Sequence, residues 1–414
     1  MVTPPLPRTI WAERHVEDFL ALPLISEFVF RSPQMIDASQ KEVVDFLITC
    51  GGSAMLVSQK CQEDPTQRDA VKTEAWARKA AVKAAAQLRG AMKPRTNNAS
   101  IWCDHVRRGR VEFPEGLPAI GHSVVTLEVY EAIDLTTSAS DLPLQAHGVP
   151  ISYLSLNDFL NLTVELRTLP DLLDYLDART ALPGAERLAI GSEKALFELY
   201  LLNDGTFPPD LTRASAAAQA EAQAAEIGRA VRAKAEANRH SKLIEHVADQ
   251  LATRNARYAE GLSASTLARF EPDDARSAYL DMQGVLANLR LGARIALGRA
   301  FADVVALTEA SGSGFRFMAA HLDPYPGDVF VFASSRGNDR EELLQRLQAL
   351  SAAALAHYDR SRCLVVADRD GLGYEVLLER WREPPSAEQR ELGARLFGGL
   401  RVSDRPISRI APAA

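Results

Sequence analysis

The stretch at residues 41–62, KEVVDFLITCGGSAMLVSQKCQ, constrains the fold of this chain more than any other. Two apolar runs, Val43 to Ile48 and Ala54 to Val57, flank Gly51-Gly52-Ser53, and such runs about a glycine-rich break specify a β-hairpin. Asp45 lies inside the first run and Lys60 closes the second strand. A charge in an apolar run is costly without a partner, so Asp45 needs a cation or a metal ion. A hairpin can set Lys60 beside it. Two readings are open at this point: a buried Asp–Lys ion pair and a hydrolytic centre.

The chain has 414 residues, enough for two or three domains. Its composition, 47% hydrophobic and 24% charged, is that of a globular protein. No apolar run reaches the roughly 18 residues of a membrane span, and the N-terminal segment lacks the apolar region of a secretory signal. Cys50, Cys61, Cys103 and Cys363 lie far apart without a CxxC pair, so neither a zinc site nor a disulfide framework is indicated. A cytoplasmic location and no membrane partner are the expectation. The net charge of −7 argues against a protein that coats nucleic acid over its whole surface. Residues 60–110 depart from that balance, with twelve Lys/Arg against five Asp/Glu. A basic face beside an acidic centre suits a phosphodiester substrate, and a solvated helix face is the plain alternative.

Taken in order, residues 10–22 read as a helix broken at Pro23, with Glu13 and Glu17 on one face. After the hairpin, a helix is predicted from Val71 to Met92, closed by Pro94 and carrying Lys72, Arg78, Lys79, Lys83 and Gln87. Strands are expected over 100–113 and 122–130. Together these form a mixed α/β unit over 1–150. A helical region follows over 151–310, with one extended Ala-rich helix near 211–260, and a C-terminal α/β module over 311–414. Residues 211–414 are where a homo-oligomer or partner-protein contact is expected. Asp368, Asp370 and Glu375 surround a turn in that module, where ordinary turn chemistry explains them better than a metal site. His122 reads as a structural residue. Trp102 reads as core, and His105 with Arg107, Arg108 and Arg110 as either surface or phosphate contacts.

Hydrolysing a phosphodiester at neutral pH needs charge neutralisation and an activated water, which carboxylate-held Mg²⁺ supplies and a nearby lysine assists. The order of a Glu-bearing helix, EVVDFLI, a Gly-Gly turn, AMLVSQK and a basic helix resembles the core of the PD-(D/E)XK, or restriction-endonuclease-like, nucleases. It is most similar to a bacterial family in which a Ser-x-Lys strand end precedes a helix of pattern W-x-R-K-x-x-x-K-x-x-x-Q-L-x-G-A. Trp76, Arg78, Lys79, Lys83, Gln87, Leu88, Gly90 and Ala91 stand at that spacing here. The resemblance covers roughly 10–205. It implies a restriction-endonuclease-like mixed sheet flanked by helices and a Mg²⁺-dependent (or Mn²⁺-dependent) nuclease acting on DNA, with a role in antiviral defence.

Carried over, Asp45 is the central metal ligand, Lys60 the catalytic lysine, Glu17 the helix acid of the metal shell and Gln87 the polar helix residue facing the site. Lys72, Arg78, Lys79 and Lys83 are the implied nucleic-acid contacts. The departure is Ser58, which stands where the general motif has Asp or Glu. Glu42 is the remaining candidate for the missing carboxylate, at a spacing from Asp45 that requires a bulge or a strand start. A catalytically degenerate nuclease fold, acting as a nucleic-acid or protein interaction module, is the alternative.

Overall fold

The computed structural model describes residues 16, 28–35, 42–50, 53–62, 69–92, 101–105, 109–113, 119–129, 131–136, 142–191, 193–255, 272–312, 314–337, 339–370, 372–381 and 384–398. Of the expected helix over 10–22 only Val16 is among them, and it is helical; Glu13 and Glu17 lie outside the described residues. The fold is mixed α/β, as expected. Its residues fall into two compact units. One comprises 1–234, 287–290 and 409–414, the other 235–286 and 291–408.

The first unit is built on the expected hairpin, β2 (Phe46–Cys50) and β3 (Ser53–Lys60), paired antiparallel with Phe46 opposite Val57. Asp45 is not inside β2 but immediately before it. β1 (Val29–Met35) pairs with the outer side of β2. The hairpin β4 (Ile101–His105) and β5 (Gly109–Phe113) extends the sheet beyond β1. On the other side, β6 (Ile120–Leu127) runs parallel to β3, β9 (Val149–Ser155) parallel to β6, and the two-residue β8 (Gln145–Ala146) closes the edge. The order is thus β5-β4-β1-β2-β3-β6-β9-β8, and the two-residue strands β7 (Ile133–Asp134) and β10 (Ala189–Ile190) pair antiparallel as a separate small sheet.

α1 (Ala70–Ala91) follows β3, and the β4–β5 hairpin separates it from β6. Asp69 caps it, its side chain accepting from Lys72 N at 2.8 Å. The helix is Ala-rich because it lies against the sheet: Ala77, Ala81, Ala84, Ala85 and Leu88 share a core with Leu56, Val125 and Leu127. Positions 77, 81, 84, 85 and 88 follow the helical repeat, so one face is apolar and the rest is left to lysine and arginine.

The opposite face of β6 and β9 is covered by α2 (Leu156–Leu166) and α3 (Leu169–Thr180). Ser155 and Thr168 cap their N-termini. After α4 (Gly184–Leu188) come α5 (Glu193–Leu202) and α6 (Arg213–Ala222). These are joined to α3 through Glu193, which accepts from Arg179 Nε at 2.7 Å, Tyr175 Oη at 2.7 Å and Arg213 Nη2 at 2.9 Å. Burial opposes the charge on Glu193, but the two arginines prevail and hold its carboxyl down at about 2.

The single long helix expected over 211–260 is two helices, α6 and α7 (Ala224–Asn255). Gln223, at φ −102° and ψ 14°, breaks the helical geometry between them. α8 (Pro272–Ala287) and α9 (Leu291–Ser311) follow. Within the second unit, a side chain at Gly298 of α9 would put its Cβ 2.0 Å from the His240 carbonyl, so only glycine allows that helix approach.

The second unit's sheet has the order β11 (Gly314–Ala320), β12 (Asp328–Arg336), β13 (Arg362–Arg369), β14 (Tyr374–Arg380). β12 and β13 are parallel and joined by α10 (Arg340–Tyr358), and α11 (Ala387–Phe397) packs beside α10. Hairpin, crossover helix, parallel strand is the plan of β11-β12-α10-β13, whereas in the first unit the β4–β5 hairpin intervenes between α1 and β6. Among the described residues, no helix is long and apolar enough to cross a membrane.

Candidate functional site

Asp45, Ser58, Lys60 and Gln87 come together at the end of β3. Ser58 and Lys60, two apart on the strand, share the face that α1 covers. Asp45 lies across from them because the β2–β3 register begins at Phe46–Val57. Its Oδ2 accepts from three donors: Gln59 N at 2.6 Å, Ser58 Oγ at 3.1 Å and Lys60 Nζ at 3.3 Å. Lys60 Nζ also donates to the Gln59 carbonyl at 2.9 Å. The peptide of Gln59 therefore fixes both charged groups.

Gln87 Oε1 is 3.3 Å from Ser58 Oγ. The serine hydroxyl has one proton and serves one acceptor at a time. With the Gln87 amide turned inward, Ser58 donates to Asp45 while accepting from Gln87. Ser58 is fully buried. The Asp45 and Lys60 side chains keep 15% and 17% of their exposure, so the pair lies at the rim, open to a ligand.

Asp45 Oδ1 has no hydrogen bond among the described residues, which leaves it as the free oxygen of the site. A cation placed there would have this one carboxylate oxygen as its ligand from the described residues. The second acid is less well placed. Glu42 is exposed and its backbone bridges to Gln34. Among the described residues, no three His, Cys, Asp or Glu side chains are grouped to hold a metal. Glu17 lies outside the described residues.

On α1, the four cations differ. Lys72 pairs with Asp69 at 3.3 Å, and Arg78 is held by Glu74 and by the Asp134 carbonyl. Lys79 and Lys83 are exposed and meet no carboxylate among the described residues. They share the i, i+4 ridge that ends on Gln87. About 12 Å of helix separates Lys79 from Gln87 at 1.5 Å per residue.

Of two further polar clusters, the sequence reading named only His122, as a structural residue. Glu128, buried just past β6, accepts from the Cys61 thiol at 2.6 Å, and its amide donates to the Lys60 carbonyl at 2.9 Å. The only signal for it was an acid at the end of the run HSVVTLEV. His122 joins Ser152 (Nε2 to Oγ 3.0 Å) and Asp177 (Nδ1 to Oδ1 3.3 Å). The order is that of a hydrolase triad, but Ser152 is 1% exposed while the Asp177 side chain is 66% exposed. With the nucleophile buried and the acid outside, the cluster ties α3 to the sheet. Burial pushes the His122 imidazole below 6.5, the nearby arginines add to this, and Asp177 opposes it.

Trp102 is half-buried with the Arg110 guanidinium 4.0 Å above its ring, and His105 is buried against Phe30. Arg107 and Arg108 lie outside the described residues. In the second unit, Asp368, Asp370 and Glu375 are served separately. Ser334 Oγ donates to Asp368 at 3.3 Å, Arg336 pairs with Asp370, and Arg340 and Arg369 pair with Glu375. Positive φ at Asp370 (47°) and Gly373 (114°) marks the turn.

The fold and this cluster define a mixed α/β protein with a carboxylate–lysine centre at a strand end. Comparison with protein-family models, with curated proteins and with solved structures gives no match.

Proposed function

We propose that the first unit is a Mg²⁺-dependent nuclease domain of the restriction-endonuclease-like kind, acting on DNA in the cytoplasm. The observation that carries the reading is Asp45: its Oδ2 is fixed by three donors, its Oδ1 meets no donor among the described residues, and Lys60 stands beside it at a partly open rim. The hairpin, the basic helix after it and the strand parallel to β3 support the same reading. Mg²⁺ or Mn²⁺, held by Asp45 Oδ1, would neutralise charge on the scissile phosphate and acidify a bound water. Lys60 orients that water and stabilises the charge developing on the phosphate. Lys79 and Lys83 hold the backbone on the way to Gln87.

The test is cleavage of plasmid and oligonucleotide DNA with Mg²⁺ or Mn²⁺ by the native chain, Asp45→Ala and Lys60→Ala. Loss of cleavage in both variants is expected. Equal cleavage by all three would place the activity elsewhere. A specific observation favours a second reading, the degenerate nuclease fold that binds without cutting. Ser58 occupies the position of the second acid, and the Lys60 ammonium is spent on Asp45 Oδ2. DNA binding that weakens in Lys79→Ala/Lys83→Ala, with no cleavage under either metal, would select it.

A further inference from the structure

The charges of Asp45 and Lys60 already cancel in the protein alone. Asp45 Oδ2 accepts from Gln59 N at 2.6 Å, Ser58 Oγ at 3.1 Å and Lys60 Nζ at 3.3 Å. Those donors saturate the lone pairs of a single carboxylate oxygen, so Oδ2 has no room for a metal and Oδ1 alone is left. The ammonium is tethered a second time, donating to the Gln59 carbonyl at 2.9 Å. Two of its three protons are thus engaged and the third is left at the rim, where the Lys60 side chain keeps 17% of its exposure. Ser58, beside both groups, is neutral. Among the described residues, no three His, Cys, Asp or Glu side chains gather to hold a metal. Divalent-cation affinity follows the number of charged ligands. A divalent ion approaching Oδ1 therefore meets a neutral ion pair, with a fixed cation on the other oxygen of the same carboxylate.

We propose that Lys60 is the resident counter-cation of Asp45 and makes divalent-metal binding conditional on substrate. The ion binds weakly to the protein alone. A phosphodiester carries one negative charge, and its oxygen can take the third N–H of Lys60 without disturbing the other two. The centre then gains the charge that a second carboxylate would otherwise supply, and the position at Oδ1 becomes favourable for the ion. By linkage the ion tightens the phosphate by the same factor. The neutral Ser58 fits this logic, because a second acid at that position would hold a metal with no substrate present. The inference rests on the nuclease reading only for its last step, cleavage; the competition between ammonium and metal stands on the ion pair itself.

The experiment titrates Mn²⁺ into the full chain, with unbound Mn²⁺ read by electron paramagnetic resonance. Lys60→Met is expected to bind the ion about tenfold or more tighter than the native chain, Lys60→Arg to stay as weak as native, and Asp45→Asn to remove the gain when combined with Lys60→Met. Where Lys60→Met does not fold, Lys60→Gln carries the same comparison, since its amide can still donate to the Gln59 carbonyl. Lys60 variants that bind Mn²⁺ no tighter than the native chain would overturn the proposal. A second titration adds a short DNA duplex with phosphorothioate linkages, which resist cleavage, and takes Asp45→Asn with the same duplex as the baseline for ions held by the DNA. The duplex is expected to raise the native affinity for Mn²⁺ by about tenfold and that of Lys60→Met by less. A native affinity that the duplex leaves unchanged would sink the conditional step. A native chain that cuts DNA under neither Mg²⁺ nor Mn²⁺ would refute the nuclease reading, while the Mn²⁺ titrations would still decide what Lys60 does to the site.

Discussion

Consider replacing Asp45 and Lys60 singly and together with apolar residues of similar size, Asp45→Leu and Lys60→Met. The ammonium lies 3.3 Å from Oδ2, an attraction of about 5 kcal/mol at an effective dielectric near 20, most of it offset by desolvation. Exposed pairs net about 0–1 kcal/mol, and breaking a buried pair costs about 3–5 kcal/mol. At 15% and 17% exposure this pair stands nearer the buried limit. Removing Lys60 leaves Asp45 with the Ser58 and Gln59 donors, so a loss of about 2 kcal/mol is expected. Removing Asp45 strands Lys60 and the Gln59 amide together, at about 2–3 kcal/mol. The double variant strands neither charge but still leaves the Gln59 amide without its acceptor, so it should recover only to about 1–2 kcal/mol below the native chain. Urea unfolding measures all four proteins, and DNA cleavage is assayed on the same samples. Stability recovered with cleavage still lost would separate function from structure. Single costs that simply add would refute the coupling, and a double variant that cuts DNA like the native chain would refute the site.

Further outcomes follow from other side chains. Replacing Lys79 and Lys83 by alanine should flatten the salt dependence of DNA binding by about two units in log–log slope. Replacing Lys72 and Arg78, each already paired within the helix, should change it little, and equal effects would refute the ridge. His122 titrates below 6.5 in the folded chain, so the unfolded chain binds its proton first. The stability it contributes is complete above about pH 6.5 and falls as pH drops below that. His122→Gln should flatten this segment of the pH–stability curve, and an identical curve would show that His122 does not titrate differently on folding. Arg179→Met leaves the Glu193 carboxylate buried beside Arg213 alone and should cost about 3–5 kcal/mol in urea unfolding. With Glu193 held at about 2, the native network should survive until pH falls from 4.5 toward 2, a loss that Glu193→Gln removes.

The grouping of Asp45, Ser58 and Lys60 was legible because it depends on short-range rules: glycines fix the hairpin, and a two-residue period aligns Ser58 with Lys60. Gln87 entered only through the resemblance of its helix to that of the nuclease family. The end of the β1–β2 ladder ahead of Asp45 was not legible: Ser32 of β1 has φ +44° beside the register shift between Arg31 and Gln34, and such a backbone turn leaves no mark in residue type. β9 was missed for another reason. Val149–Ser155 is buried on both faces between β6 and β8, so it shows no alternation and merges with the helix that starts at Leu156. Glu128 was invisible because its partner Cys61 is 67 positions away in the chain. The distinction between Arg78 and its neighbours Lys79 and Lys83 required Glu74 and the Asp134 carbonyl to be seen in place. The break at Gln223 lay hidden in uniformly helix-favouring sequence.

The short sequence span of the site has a consequence for how the protein is made. Everything from Asp45 to Gln87 belongs to one hairpin and the helix after it, so these contacts close small loops and form early. The parallel neighbour β6 emerges from the ribosome only later, and until then β3 presents an unpaired edge with the site residues at its end. During synthesis α1 follows β3 directly, and its row of buried alanines can cover the apolar face of that strand while the edge itself stays open to mispairing until β6 arrives.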